Sequence, residues 1–132
     1  MALVIDCSIA MAWLLPDEDS NKATKALAQV ARDGAIAPPL WVYETQNALL
    51  VARRRKRIDA EFVRSALRSL RKLPIAFPEI HGIGRELSLA EPLGLTAYDA
   101  AYLAMAIEHH ATLATADREL AAAARKRGIA LL

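Results

Sequence analysis

The sequence predicts an α/β fold of three layers, in which a central parallel sheet of about five strands lies between helices. Short apolar runs alternate along the chain with segments of helical periodicity, the pattern of parallel strands joined by helices. In addition, 55% of the 132 residues are hydrophobic and there are only five glycines and six prolines. This composition favours a packed core over disorder. We therefore expect one domain over residues 1–132.

The first half of the chain is predicted to contain two strands and three helices. In order, they are a strand at 3–5, a helix at about 8–14, a helix between Ser20 and Gly34, a strand at 35–37 and a helix that begins at prolines 38–39. Pro16 and the polar stretch "PDEDS" should end the first helix. Ser20 is a typical N-cap and Gly34 a typical helix terminator, which sets the bounds of the second.

The second half is predicted to contain three further strands and four helices. They are a helix capped by Asp59, a strand at 74–77, a helix at about 79–90, a helix in "LTAYDAAYLAMAIEHH", a strand at 111–115, a helix in "DRELAAAARKR" that ends at Gly128, and a strand at 129–132. The helix in "LTAYDAAYLAMAIEHH" is apolar nearly all round, which predicts that it is buried.

Two aspartates follow predicted strands, and two other acids occupy positions where helix periodicity predicts apolar residues. Asp6 and Asp117 lie at or just past the carboxyl ends of their strands, where ligands bind in open parallel sheets. Glu44 and Asp99 lie early in their helices on otherwise apolar stripes. An isolated buried carboxylate is costly, so four such acids at one sheet edge indicate a shared counter-charge.

A divalent cation is the simplest counter-charge, because Arg118 is the only basic residue in the immediate sequence of these acids. All-oxygen ligation favours Mg²⁺, with Mn²⁺ as a substitute, over zinc. Ser8 and Thr115, each two residues from an acid, could orient the ligands. Local roles are the alternative for most of these residues taken singly: Asp99 is at capping-box spacing from Thr96, Asp117 and Ser8 could each cap a helix, and Asp6 could be a turn residue. Glu44 has the weakest local alternative, because an acid within an apolar stripe does no capping.

Charge is unevenly distributed along the chain. Residues 53–72 contain nine basic and two acidic residues, although the whole chain has a net charge of only +2. Arg53, Arg54, Arg55 and Arg57 are therefore candidate contacts to a polyanion such as a nucleic-acid backbone. Cations at a helix C-terminus and a solvated arginine face explain the same residues equally well.

Several classes of protein are excluded or disfavoured. The single cysteine, Cys7, rules out an internal disulfide framework and a multi-cysteine zinc site, and we interpret it as a packed thiol. No apolar run reaches the roughly 18 residues that a membrane span needs, and the N-terminus lacks secretory features. We expect a cytoplasmic protein that does not associate with membranes.

Four segments resemble those of PIN-domain ribonucleases, specifically the VapC-type toxins of toxin–antitoxin pairs: "VIDCSIAMAWLLPDE", "PPLWVYETQNALL", "LGLTAYDAAYLAMA" and "LATADREL". They occur in the order and spacing of the family, and each contains an acid. By position, Asp6, Glu44, Asp99 and Asp117 match the acidic catalytic and metal-binding quartet. Ser8 and Thr115 match the polar residues that accompany it.

The resemblance implies a metal-dependent endoribonuclease that leaves 5′-phosphate and 3′-hydroxyl ends. It also implies a homodimer and a VapB-type antitoxin whose C-terminal segment inhibits the enzyme. The alternative is a non-catalytic RNA- or protein-binding module with the same fold, but such a module would be expected to lack one of the acids. An aspartyl-nucleophile phosphatase is disfavoured, because Ser8 stands where that chemistry needs a second acid.

Overall fold

The computed structural model describes residues 2–15 and 20–132, and this part of the chain contains a four-stranded parallel sheet. The strands are β1 (Leu3–Ile5), β2 (Ala35–Ile36), β3 (Ile75–Ala76) and β4 (Thr112–Ala114), in the spatial order β3-β2-β1-β4. Val4 pairs with Ile36 on one side and with Leu113 on the other. Since β1 is central, the residue that follows it lies in the middle of the carboxyl edge of the sheet.

Helices flank the sheet in the predicted three-layer α/β arrangement. They are α1 (Cys7–Leu14), α2 (Asn21–Asp33), α3 (Leu40–Arg54), α4 (Ala60–Arg71), α5 (Arg85–Leu93), α6 (Ala97–Glu108) and α7 (Arg118–Lys126). Helix α6 packs on β1 and β4, while α1 packs on α2 and α3. All three residues of β1 are buried, as are residues 100 and 102–106 of α6, as expected for elements in the interior of the fold. None of the described helices combines the length and apolar character that a bilayer crossing requires.

Two predicted elements were wrong in extent. The strand expected at 129–132 forms only a single parallel bridge between Leu131 and Leu113, flanked by two backbone hydrogen bonds, so the sheet has four strands and not five. The helix expected from about residue 79 begins at Arg85, because Gly84 has a φ of 126°, which is incompatible with helix. The "PDEDS" segment, predicted to end the first helix, lies largely outside the described residues.

Side-chain caps fix where most helices begin, and therefore which residues project from the sheet edge. The side chains of Asp6, Ser20, Asp59, Thr96 and Asp117 each accept a hydrogen bond from a backbone N–H in the first turn of the helix that follows. Each such cap stabilises its helix by about 1 kcal/mol. Because Asp6 and Asp117 follow β1 and β4, capping alone places two carboxyls on adjacent strand ends.

Gly34 connects α2 to β2 with a backbone that other residues rarely adopt. Its φ is 80°, and a Cβ placed there would lie 3.0 Å from the carbonyl oxygen of Pro74. We expect Gly34→Ala to lower the free energy of unfolding by about 2–3 kcal/mol, measured by urea denaturation. Gly94→Ala is the control, because φ there is 66° but nothing lies within 4 Å of the new Cβ. Equal losses in the two variants would contradict the role assigned to the contact with Pro74.

Candidate active site

Asp6 is the central group of the site and is almost fully hydrogen-bonded. Its side chain is buried, with 5% relative exposure. Oδ1 accepts from Ser8 Oγ at 2.7 Å and from the backbone N–H of Ile9 at 3.0 Å, while Oδ2 accepts from Thr115 Oγ1. A carboxylate has about four acceptor positions, so one remains for a further partner. Asp6 also caps α1, a role that the sequence suggested for Ser8 instead.

Ser8 and Thr115 link Asp6 to the start of α7. The Thr115 hydroxyl donates to Asp6 and accepts from the backbone N–H of Asp117 at 3.0 Å. Ser8 Oγ lies 3.2 Å from Thr115 Oγ1 and accepts from the backbone N–H of Ala116 at 2.8 Å. The two hydroxyls therefore tie the carboxyl end of β1 to that of β4. Both hydroxyls thus contact Asp6, and their role in orienting metal ligands stays a prediction.

Asp117 uses one carboxylate oxygen to cap α7. Its Oδ1 accepts the backbone N–H groups of Glu119 at 2.8 Å and Leu120 at 3.1 Å. The capping alternative considered for this residue is thus realised. Both capping bonds go to the same oxygen, so Oδ2 accepts no hydrogen bond from the described residues and stays available for a further partner.

Glu44 is half-buried on α3 and is held by a tyrosine from another helix. The hydroxyl of Tyr102, a buried residue of α6, donates to Glu44 Oε1. Near the start of α3, the indole N–H of Trp41 donates to the backbone carbonyl oxygen of Asp6 at 3.2 Å. That bond fastens the helix to the end of β1. Glu44 is consequently held toward the sheet edge from two sides.

Asp99 is half-buried in the first turn of α6, three residues before Tyr102. Its backbone N–H donates to Thr96 Oγ1 at 3.0 Å, which is the capping bond that the spacing predicted. Because residues three apart lie on the same side of a helix, Asp99 and Tyr102 face the same region. One helix thus supplies both an acid and the hydroxyl that holds Glu44.

Charge coupling connects the four acids. Burial raises the pKa of Asp6, and the charge of Asp117 raises it further, against the hydrogen bonds from Thr115, Ile9 and Ser8. Burial also raises the pKa of Glu44, opposed by the Tyr102 hydroxyl and reinforced by the charge of Asp99.

The pKa of Asp99 shows how the remaining acids are coupled. Burial raises the pKa of Asp99, followed by the charges of Asp117 and Glu119, and the hydroxyl of Thr96 opposes the rise. Repulsion therefore links Glu44 to Asp99, Asp99 to Asp117, and Asp117 to Asp6. Within residues 2–15 and 20–132, no basic side chain is among the groups that shift these three pKa values.

A divalent cation fits this set of oxygen donors, although the carboxyls do not already form a complete coordination site. Across residues 2–15 and 20–132, no three histidine, cysteine, aspartate or glutamate side chains form a ready-made metal-binding group. The four acids are neighbours by charge and offer only oxygen donors, and the pKa values of Asp6, Glu44 and Asp99 are raised. A hard cation such as Mg²⁺ or Mn²⁺ is the counter-charge that these oxygens prefer.

Cys7 adjoins the acids without serving as a nucleophile. Burial, with the nearby charges of Glu44 and Asp6, raises the pKa of the Cys7 thiol to about 11, while a hydrogen bond with Thr45 opposes the rise. A reactive cysteine needs a lowered pKa. This supports the interpretation of Cys7 as a packed thiol.

Two residues at the site were not identified from the sequence. Tyr102 was assigned only to a buried helix, although a buried tyrosine hydroxyl generally needs a partner and its spacing from Asp99 pointed to the site. Lys22 is 93 positions from Thr115 in sequence, yet its Nζ lies 3.4 Å from the Thr115 carbonyl oxygen. No local sequence signal identifies a contact over such a separation.

The predicted basic residues lie at the other end of α3. Arg53 and Arg54 form its last turn, and Arg55 and Arg57 follow it. All four are exposed. Arg54 is ten residues beyond Glu44, which corresponds to about 15 Å along a helix axis. This group therefore lies at a distance from the acids and not among them.

Comparison with known proteins agrees with the fold and with the family resemblance noted in the sequence. A PIN domain family model matches residues 3–126. Ribonuclease VapC3 of Pyrobaculum aerophilum is 33% identical over 125 residues, which cover 92% of this chain and 93% of that protein. The crystal structure of PAE2754 from Pyrobaculum aerophilum superposes with a TM-score of 0.74 at 24% identity, covering 93% of this chain and 84% of that one.

These matches confirm the resemblance on which the site residues were first aligned. The family model spans nearly the whole of the chain and includes all four acids. The structural match supports the same fold independently of close sequence similarity. The chain belongs to the PIN domain family.

Proposed function

We propose that this chain is a VapC-type toxin that hydrolyses RNA phosphodiester bonds as a metal-dependent endoribonuclease. The observation that carries the proposal is the electrostatic coupling of Asp6, Glu44, Asp99 and Asp117 at one sheet edge. Among the described residues, no basic side chain contributes to the pKa shifts of Asp6, Glu44 or Asp99. The 33% identity to Ribonuclease VapC3 over most of both chains supports the choice of RNA as substrate.

In this proposal the four acids hold one or more divalent cations, with Mg²⁺ preferred and Mn²⁺ as a substitute. When bound, such a cation supplies Lewis acidity for attack of water on the phosphodiester. Asp6 is oriented by Ser8 and Thr115, and Glu44 by Tyr102, so their carboxyls keep fixed positions as the substrate enters. The expected products carry 5′-phosphate and 3′-hydroxyl ends.

The proposal also includes the wider properties of VapC toxins. The chain would act in the cytoplasm as a single PIN domain over residues 1–132, as a homodimer, and would be neutralised by a VapB-type antitoxin. Arg53, Arg54, Arg55 and Arg57 would contact RNA phosphates beyond the cut site, because they lie about 15 Å along α3 from Glu44.

The test is cleavage of a mixed pool of single-stranded RNAs by the purified chain with Mg²⁺, with Mn²⁺ and with EDTA, followed by analysis of the product ends. We expect cleavage with either metal, its loss in EDTA, and 5′-phosphate ends. Cleavage that persists in EDTA would contradict the metal requirement. RNA binding without cleavage under every condition would support the alternative of a non-catalytic module.

A further inference from the structure

We propose that Lys22 is a substrate-binding residue of this site, whose ammonium group contacts an RNA phosphate beside Asp6 and Thr115. The inference rests on the proposed nuclease function and adds a residue that neither the sequence pattern nor the acidic quartet contains. Lys22 lies in the first turn of α2 and is exposed. Its Nζ donates to the backbone carbonyl oxygen of Thr115 at 3.4 Å.

The position of that ammonium group follows from the contacts of Thr115. The Thr115 hydroxyl donates to Asp6 and accepts the backbone N–H of Asp117. A cation on the carbonyl oxygen of the same residue therefore lies at the rim of the acidic site. The bond is long for an N–H···O hydrogen bond, and an ammonium group has three donors, so Lys22 retains donors for a ligand.

Lys22 does not act as the internal counter-ion of the acids. It forms no salt bridge in the part of the chain that the structure describes, and it is not among the groups that shift the pKa of Asp6. A lysine that neutralised Asp6 would weaken metal binding there. A lysine at the rim instead leaves the carboxyls to a cation and directs its own charge outward.

RNA binding beside the four acids needs a positively charged side chain. A phosphate that approaches four carboxyls is repelled until bound metal offsets their charge, and the arginines at the end of α3 lie about 15 Å from Glu44. Arg118 adjoins Asp117 in sequence and is exposed, but in the described part of the chain no hydrogen bond or salt bridge joins it to Asp6 or Thr115. Lys22 is tethered to the site through its hydrogen bond with Thr115.

The experiment compares Lys22→Gln with Lys25→Gln, an exposed lysine of the same helix one turn on. RNA affinity is measured by anisotropy of a labelled single-stranded RNA with Mg²⁺, in an Asp99→Asn background expected to leave the RNA intact, at several salt concentrations. Mn²⁺ affinity is measured calorimetrically without RNA on chains that are otherwise unaltered. Thermal unfolding of each variant reports on folding.

We expect Lys22→Gln to weaken RNA binding about tenfold and to reduce the salt slope by roughly one, with Mn²⁺ affinity unchanged or slightly increased. Lys25→Gln should resemble the parent chain. Equal RNA affinities and slopes in the two variants, or no RNA binding by the parent chain, would overturn the inference. If the unaltered chain binds RNA without cleaving it, but Lys22→Gln alone weakens binding, the phosphate contact stands and the nuclease proposal fails.

Discussion

Asp6→Asn is expected to reduce metal-dependent RNA cleavage by roughly 100-fold or more while leaving the fold intact. Losing a group that merely supports a metal ligand costs about 10–100-fold, so removing a ligand should cost at least that much. The asparagine keeps an oxygen to accept from Ile9 and Ser8. Its amide can donate to Thr115, whose hydroxyl oxygen has acceptor capacity.

The stability of Asp6→Asn separates a functional acid from a structural one. Burial raises the pKa of Asp6, so its charge opposes folding in the absence of metal. The contribution of such an acid to stability is greatest below its unfolded-state pKa and declines as pH rises toward the folded-state value. A neutral asparagine removes that decline. We therefore expect metal-free Asp6→Asn to be at least as stable at pH 7 as the unaltered chain.

Asp6→Ala provides the matched comparison. It removes the α1 cap and leaves Thr115 and Ser8 without their acceptor, which should lower the free energy of unfolding by about 1–3 kcal/mol. Cleavage rates and urea denaturation are measured for both variants in Mg²⁺ and in EDTA. An Asp6→Asn chain that cleaves at the parent rate would show that Asp6 is a cap and not a metal ligand.

The sequence could predict where the acids lie in the fold, because their positions follow from local rules. Asp6 and Asp117 follow apolar strands whose ends must lie on one edge, since a parallel sheet places all its carboxyl ends together. Glu44 interrupts an apolar stripe, and a polar group at such a position needs a partner. These arguments need only strand ends and helix periodicity, and the structure has both at those positions.

Contacts between distant segments could not be predicted in this way. The bond between Lys22 and Thr115 depends on how α2 packs against the end of β4, and nothing near either residue encodes that packing. The prediction of a fifth strand was wrong for a similar reason. A run such as "IALL" has strand-like composition, but strand formation depends on how many backbone pairs it makes with Leu113 and its neighbours.

Tyr102→Phe is expected to weaken divalent-metal binding about 10–100-fold, even though Tyr102 is not itself one of the proposed metal ligands. The hydroxyl donates to Glu44 Oε1 and so orients that carboxyl. Burial, together with the Glu44 carboxylate, raises the pKa of Tyr102, so the hydroxyl keeps its proton and remains a donor. Phenylalanine retains the buried ring and removes only the donor.

The loss of metal affinity in Tyr102→Phe should grow as pH falls. The Tyr102 hydroxyl lowers the pKa of Glu44 against the effects of burial and of Asp99, so its removal raises that pKa further. Protons and metal compete for the carboxylate, and a higher pKa lets protons win at a higher pH. We expect the ratio of parent to variant Mn²⁺ affinity, measured by calorimetry, to increase steadily from pH 8 to about pH 5.5.

Tyr98→Phe controls for loss of a tyrosine hydroxyl from the same helix. Tyr98 is 66% exposed, and its hydroxyl makes no hydrogen bond to the acids in the described structure. That variant should bind Mn²⁺ like the parent at every pH. If Tyr102→Phe did the same while folding normally, the hydroxyl would serve only to satisfy a buried polar pair. If it lost affinity by a constant factor, Tyr102 would orient Glu44 without tuning its protonation.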